Sequence, residues 1–447
     1  MSSNTKVLLT NTNRWPMTAR VAIELSQAGC DVFVLCPFPG HPAQRTRAVS
    51  QTYRYSSSRP IASLLAAIGS LGPDVIVPCD DLGVQHLHEL YAIATKEGLA
   101  KIAALVESSL GPSDSFSIVS SRYELLRLAT ENGVLTPRTC VVGNLEDLRS
   151  NCDIPTFPWV LKADGTWGGS GVRVAGDRRE AERLFLELRR RQGALSTLKQ
   201  LVTSRSRSST FFSWGRQPKL SLVAQAYIKG RPANCVVVCW RGRVLAGIGV
   251  DVISSQGIKG PAIVVRPIEN REMMRAAELI AGQLNLTGFF GLDFMIESAT
   301  NLLYLIEMNP RCTPLCHLQL GRGKDLVGAL VAELQGVSCR TLAPVTTSTT
   351  IAYFPQAQSC HSRFLQSSFN DIPEGEPELV EDLLCPWSDR GLVGRMIDHM
   401  RRTIQNRPAM QEYVFVEALT PPALDTGTRV KPVETTSPIL DSVASAL

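Results

Sequence analysis

Hydrophobic and polar positions in the first 112 residues alternate between short apolar runs and longer amphipathic stretches. Lys6-Val-Leu-Leu-Thr reads as a buried strand, Asn11 to Pro16 as a loop and Met17 to Gln27 as a helix ended by Gly29. Asp31-Val-Phe-Val-Leu-Cys reads as a second strand. Pro60 to Leu71 predicts another helix, with proline at a tolerated first-turn position, and Pro73-Asp-Val-Ile-Val-Pro-Cys79 predicts the strand after it. This β-loop-α-β order builds a parallel sheet. Asp80 and Asp81 fall at the carboxyl end of the last strand, and Asp81 is expected to cap a helix over Leu82 to Tyr91. Substrates of open α/β sheets bind beyond strand carboxyl ends, which keeps this acidic end as a substrate-site candidate. The loop after the first strand, Thr10-Asn-Thr-Asn-Arg-Trp-Pro, carries no G-x-G-x-x-G, so a Rossmann-type dinucleotide is not expected.

The pattern then changes. Ser121 to Glu131 predicts a helix stopped by Asn132-Gly133. Phe157-Pro-Trp-Val-Leu-Lys162 predicts a strand ending in lysine, followed by Asp164-Gly-Thr-Trp-Gly-Gly-Ser-Gly171 and a new strand from Val172. Successive N–H groups of such a glycine loop can enclose phosphate oxygens. Arg178 to Arg191 reads as a helix. From Gln192 to Leu220 there is no acidic residue, and Lys199, Arg205, Arg207, Arg216 and Lys219 interleave with Phe211, Phe212 and Trp214. That segment reads as a solvated loop, with a contact to an anionic carrier or membrane surface as the sharper alternative. Further strands are expected over Leu222–Gly230, Cys235–Trp240, Arg243–Val250 and Ala262–Pro267, with a polar loop over Asp251–Pro261. Helices are expected over Glu269–Leu284, Lys324–Leu334 and Leu392–Arg402.

The chemistry concentrates in Gly288-Phe-Phe-Gly-Leu-Asp-Phe-Met-Ile-Glu followed by Leu302-Leu-Tyr-Leu-Ile-Glu-Met-Asn-Pro-Arg311. Two apolar arms around the polar Ser298-Ala299-Thr300-Asn301 predict a hairpin. With the turn centred near Thr300, Asp293 faces Glu307, and strand alternation puts Asn309 and Arg311 on the same face. Carboxylates opposite each other repel. A hard cation removes that penalty, and Asp, Glu and Asn oxygens suit magnesium, which also takes substrate phosphates.

This hairpin resembles the metal site of the ATP-grasp superfamily, in which an acid on one strand and a Glu-x-Asn on the next hold magnesium on ATP. The resemblance implies Asp293, Glu307 and Asn309 as metal ligands and Arg311 as a catalytic group at the transferring phosphoryl. Val134-Leu-Thr-Pro resembles the Gly-Val-x-x-Pro that begins the ATP-grasp core. Arg122 stands where the family often has a phosphate-binding lysine. Lys162 and the loop of Gly165, Gly168, Gly169, Ser170 and Gly171 match the ATP-contacting lysine and phosphate-closing glycines. Gln225-Ala226-Tyr227-Ile228 resembles the hinge that reads adenine through its backbone, with Ala226 replacing the usual acid. Arg231-Pro-Ala-Asn234 lacks the ribose acid, leaving Asn234 as the ribose candidate. Lys259 and Arg266 are the basic candidates to hold a carboxylate or acyl phosphate.

The implied architecture is an α/β parallel-sheet (preATP-grasp) domain over residues 1–112, followed by an α+β ATP-grasp fold over 113–335. The latter has a lid at about 140–224 containing the basic insertion 192–220. A small α+β C-terminal appendage over 336–419 and a Pro/Ser/Thr-rich tail over 420–447, expected to be disordered, complete it. The implied reaction activates a substrate carboxylate as an acyl phosphate and joins it to an amine, with ATP and Mg2+ (or Mn2+) as cofactors. A bicarbonate-activating enzyme of the biotin-carboxylase or carbamoyl-phosphate-synthase kind is the alternative, and a non-catalytic ATP-binding regulator a second one.

Composition narrows the setting. The chain has 447 residues, 44% hydrophobic and 19% charged, with net charge +5. That charge is too small and dispersed to imply nucleic acid. No long uncharged apolar run or secretory leader is visible, and twelve cysteines without CxxC pairs argue for reduced thiols. A cytoplasmic location is the expectation. Cys312, Cys316 and His317 do not form a zinc pattern and are read as part of a loop lining the pocket.

Overall fold

Side chains of the N-terminal strands over residues 6–10, 31–36 and 75–78 are largely apolar on both faces, which suits a sheet covered on both sides. Val7, Leu9, Val32, Val34, Val75 and Val77 enter one core, while Leu8, Leu35 and Ile76 enter another. The computed structural model describes residues 4–163, 171–203, 222–258, 260–384 and 412–415, and side chains of the helical residues 191–203 are not among them. Strands β1 (Lys6–Thr10), β2 (Asp31–Cys36), β3 (Gln51–Arg54) and β4 (Val75–Pro78) pair in parallel in the order β3-β2-β1-β4. Helices α1 (Pro16–Gln27), α2 (Pro60–Leu71), α3 (Asp81–Lys96) and α4 (Ala100–Leu110) complete this layer. The cap of α3 corrects the sequence expectation. Asp80, not Asp81, occupies the N-cap and accepts from Gly83 N at 2.7 Å.

After the short α5 (Phe116–Val119), α6 (Arg122–Glu131) starts where Ser121 accepts from Glu124 N at 3.3 Å. A second, antiparallel sheet follows. It contains β5 (Thr139–Val142), β6 (Trp159–Ala163), β7 (Val172–Ala175) and β8 (Leu222–Ala226) in the order β5-β8-β6-β7. Helix α7 (Arg178–Thr203) buries Leu184, Phe185 and Leu188 against Trp159 and Leu161 of this sheet. It runs to Thr203, so the start of the basic segment is helical rather than a loop. The remainder of that segment lies outside the described residues.

The third sheet holds β9 (Gly230–Trp240), β10 (Arg243–Gln256), β11 (Ala262–Ile268), β12 (Gly288–Glu297) and β13 (Leu303–Asn309). Its spine runs β13-β12-β9-β10-β11 and continues through β14 (Ile351–Ala352) and β15 (Phe369–Asn370), with β16 (Glu412–Val414) on β10. Residues expected as a separate appendage therefore extend the central sheet. Strand β10 also continues through Gln256, where a polar loop was expected, because its β11 and β16 partners satisfy the backbone.

One face of this sheet carries α6 and α8 (Arg271–Leu284), with Leu125, Leu126, Met273 and Ile280 on Phe290, Phe294 and Leu305. The other face shares a continuous core with the parallel sheet. Val236, Val238, Ile248 and Val250 meet α1 and α9 (Leu326–Gln335), and through them Val7, Val34 and Val75. Two further helices, α10 (Gln356–Ser359) and α11 (Pro377–Leu384), follow, and Leu379 and Leu383 pack on Ala19 and Ile23 of α1. The helix expected over Leu392–Arg402 and the tail lie outside the described residues.

The thiols differ from expectation. Cys140 on β5 and Cys152 form a disulfide, with Cα atoms 5.6 Å apart. The pair escapes a CxxC search because the chain turns through a short helical segment between the two residues. No helix among the described residues is long and apolar enough to cross a membrane.

Candidate active site

Strands β12 and β13 place Asp293 directly opposite Glu307, and β9 places Asn234 opposite Asp293 on its other side. Pairing between β12 and β13 slips by one residue after Asp293, so Phe294 faces Leu305 and Ile306 is bulged out of the ladder. The carbonyl of Ile306 accepts from Lys162 Nζ at 3.4 Å, which brings a buried β6 lysine from the second sheet onto the hairpin. Arg122, the first residue of α6, donates from Nη2 to Glu307 Oε1 at 2.9 Å.

Around Asp293, Asn309 Nδ2 donates to one carboxylate oxygen at 3.1 Å and Asn234 Nδ2 to the other. Arg311 follows the hairpin. Its Nη2 donates to Asn309 Oδ1 at 3.2 Å, and its Nε lies 2.9 Å from Asp81 Oδ2 at the start of α3. The parallel sheet is thereby joined to the hairpin, and Cys312 N donates to Pro78 O at the end of β4 at 3.2 Å. Asp80 is spent on structure, accepting from Thr12 N at 2.6 Å and Thr12 Oγ1 at 2.9 Å as well as from Gly83 N.

The two acids differ electrically. Burial and then the facing Glu307 push Asp293 up to about 6, against the amides of Asn234 and Asn309. Burial also opposes ionisation of Glu307, yet Arg122 first and then Lys162 and Arg311 hold it below the ordinary glutamate value. Arg311 loses by burial but is held above its ordinary value by Asp81, ahead of Asp293 and Asp80.

This donor set fits a hard divalent cation. Two facing carboxylates and an asparagine amide supply oxygens, and a cation would relieve the repulsion that raises Asp293. No group of three His, Cys, Asp or Glu side chains among the described residues is placed to hold a metal unaided. The rest of the coordination sphere falls to phosphate and water, as magnesium prefers.

Other sequence candidates are placed as follows. Gln225, Ala226, Tyr227 and Ile228 close β8 and lead to β9. The Gln225 amide donates to Thr139 Oγ1 at 3.2 Å, and the N–H groups of Ala226 and Tyr227 donate to the carbonyls of Arg138 and Pro158 at 2.8 and 3.2 Å. Asn234, expected at a ribose, is bonded to Asp293 instead. Arg266 does not join the cluster. Val265 packs in the core shared with Val250, and Arg266 points to the opposite sheet face, where it donates to Asp251 at 2.6 Å. Gly171 is buried at the end of the glycine loop, its carbonyl accepting from Ala163 N at 3.1 Å. Gly165, Gly168, Gly169, Ser170 and Lys259 lie outside the described residues. Cys312, Cys316 and His317 are all buried, and His317 pairs with Asp371 at 2.8 Å.

Sequence reasoning missed Asp81 as the partner of Arg311, and Ile306 as the lysine's acceptor. The first is a contact between distant segments with no local signature. The second depends on a bulge that no pattern of polar residues marks.

Residues 119–314 match the ATP-grasp domain family. The formate-dependent phosphoribosylglycinamide formyltransferase of Solidesulfovibrio magneticus is 29% identical over 182 residues, 40% of this chain and 42% of that protein. The matches span less than half the length of such curated relatives. Among solved structures, N5-carboxyaminoimidazole synthetase of Staphylococcus aureus, complexed with ADP, aligns with a TM-score of 0.52 at 15% identity. That alignment covers 76% of this chain and 79% of that one. The biotin carboxylase domain of Hydrogenobacter thermophilus 2-oxoglutarate carboxylase, in complex with MgADP and bicarbonate, aligns with a TM-score of 0.54 at 15% identity. Here the coverage is 76% of this chain and 71% of that one. At such identity these two likenesses speak for the fold.

Proposed function

We propose that this chain, which carries an ATP-grasp domain over residues 119–314, is an ATP-dependent ligase that activates a small-molecule carboxylate as an acyl phosphate and joins it to an amine, releasing ADP and phosphate. The observation that carries this reading is the facing pair Asp293 and Glu307, ringed by Arg122, Lys162 and Arg311. Asp293, Glu307 and Asn309 would hold Mg2+, or Mn2+ in its place. When bound, the cation supplies charge neutralisation for the ATP phosphates.

The chain's own residues do the rest. Lys162, anchored on the Ile306 carbonyl, and Arg122, anchored on Glu307, present positive charge to the phosphates. Arg311, held between Asp81 and Asn309, faces charge that develops as the phosphoryl group passes to the substrate carboxylate. Gly168, Gly169, Ser170 and Gly171 would close over the phosphates. The hinge from Gln225 to Ile228 would read the base through groups other than the Ala226 and Tyr227 N–H groups, which are already engaged. Lys259 remains a candidate for the substrate carboxylate. No nucleophilic side chain is needed, since positioning and electrostatics dominate phosphoryl transfer. The relative named for formate-dependent formyl transfer to phosphoribosylglycinamide supports a small-molecule acid and amine as substrates.

The test is ADP release by the purified protein with Mg-ATP and a panel of carboxylates, each with and without amines. Release that requires an acid and an amine, and is lost in Glu307→Gln, is the expected result. Release on bicarbonate alone would replace the substrate acid with bicarbonate, and absence of Mg-ATP binding would overturn the reading.

A further inference from the structure

Arg311 carries a full charge into a site whose cation must be bound by the same carboxylates that attract it. Its guanidinium is fixed on three sides. Nε lies 2.9 Å from Asp81 Oδ2, Nη1 donates to the Cys312 carbonyl at 3.2 Å, and Nη2 donates to Asn309 Oδ1 at 3.2 Å. Asn309 in turn donates to Asp293 at 3.1 Å, so a single amide separates Arg311 from the central acid. Only one of the three anchors is charged, and it belongs to the parallel-sheet domain. Asp81 is free for this because its neighbour Asp80 supplies the α3 cap.

We infer that Asp81 is a positioning residue that acts as the counter-ion of Arg311, holding the guanidinium off Asp293 and Glu307 so that these acids are available to a divalent cation. The inference rests on the proposed function, because it takes those acids as the cation's ligands. Without Asp81, the acid that acts most strongly on Arg311 is the ligand carboxylate of Asp293, ahead of Asp80. Two cations would then compete for one acidic pair. Asp81 thereby makes the N-terminal domain part of the metal site without touching the metal.

The test is calorimetric binding of AMP-PNP, a non-hydrolysable ATP analogue, across a Mg2+ series, read as the Mg2+ midpoint. Asp81→Asn is expected to raise that midpoint about tenfold, a coupling of ordinary size between neighbouring sites. Asp81→Glu, which keeps the charge, is expected to restore most of it. In an Arg311→Met background, Asp81→Asn is expected to change the midpoint no further, since the competing cation is gone. An equal rise in both backgrounds would mean a merely structural Asp81 and would overturn the inference, as would an unchanged midpoint in Asp81→Asn alone. If the asparagine variant fails to fold, Asp81→Ser reads the same midpoint with the same expectations. A wild-type chain that binds no AMP-PNP at any Mg2+ concentration is a different outcome, because it overturns the proposed function itself.

Discussion

Arg122 Nη2 lies 2.9 Å from Glu307 Oε1, across 185 residues of chain. The contact keeps Glu307 ionised in a setting where burial favours the neutral acid. Removing it by Arg122→Ala should raise the Glu307 pKa and weaken Mg2+-dependent nucleotide binding by about tenfold, the scale of a lost charge-assisted hydrogen bond. Arg122→Lys should recover part of the loss, because it keeps the charge but not the planar donor fork. Calorimetry of Mg-AMP-PNP binding in the three proteins checks the order.

Asp293 predicts a pH dependence. Its pKa in the folded chain is about 6, against an ordinary 3.8. A protonated acid is a poor ligand, so Mg2+ affinity should be steady above about pH 6 and fall roughly tenfold per unit below it. The sign for stability is the reverse. The folded state binds the proton first, so the metal-free protein should gain stability as pH falls from about 6 toward 3.8. By the same reasoning Asp293→Asn should stabilise the metal-free protein at pH 7, by at most about 3 kcal/mol, while abolishing Mg2+ binding. Thermal melts with EDTA and with Mg2+ separate the two effects, and a destabilised metal-free variant would contradict the argument.

The hairpin shows how far this fold is legible in its residues. Apolar arms around a polar turn suffice to predict β12 and β13, and a turn centred on Thr300 puts Asp293 opposite Glu307. In the structure, Glu297 N donates to Leu302 O at 2.9 Å, so the ladder is centred half a residue earlier. Continued without interruption, that register would face Asp293 with Ile306 and turn Glu307 to the other side. The bulge at Ile306 restores the alignment. Three of the four parallel strands, β1, β2 and β4, were legible for a simpler reason, since each is apolar on both faces, whereas β3, with its polar Gln51, Thr52 and Arg54, was not. The Asp81–Arg311 contact, the Arg266–Asp251 pair and the weaving of residues 351–352 and 369–370 into the central sheet were not. They are tertiary events between segments whose local patterns are ordinary.

The disulfide gives a prediction for the second sheet. β5 is an edge strand, paired only with β8, and the Cys140–Cys152 bond ties it to the chain just before β6. Closing a loop of this length is worth about 3 kcal/mol in the chain-entropy account. Cys140→Ser should therefore lower stability by about 2–3 kcal/mol and raise amide exchange over residues 139–142, with the parallel sheet unchanged. Hydrogen exchange with and without reductant measures this, and mass spectrometry of the alkylated protein tests the bond itself. Equal protection in both states would show that β8 pairing alone holds the strand.

Behind Arg311, the same loop is fixed by a buried charge network. His317 Nε2 lies 2.8 Å from Asp371 Oδ2, and the other oxygen of Asp371 takes Arg20 of α1. One carboxylate therefore ties together the first helix, the loop that follows the hairpin and the strand end at β15. Removing it by Asp371→Ala would leave Arg20 buried without its counter-ion, at a cost of about 3–5 kcal/mol. Asp371→Asn keeps the shape and a hydrogen-bonding oxygen and should cost less. The network also has a pH signature. Burial first, then Arg20, lowers the His317 pKa against the pull of Asp371. The unfolded chain then takes up the proton first, and stability should decline as pH falls below about 6.5. This opposes the gain from Asp293, so the pH profiles must be compared as differences. Urea unfolding of wild type and His317→Gln at matched pH isolates the histidine, and a decline that persists in the variant would assign it to another group.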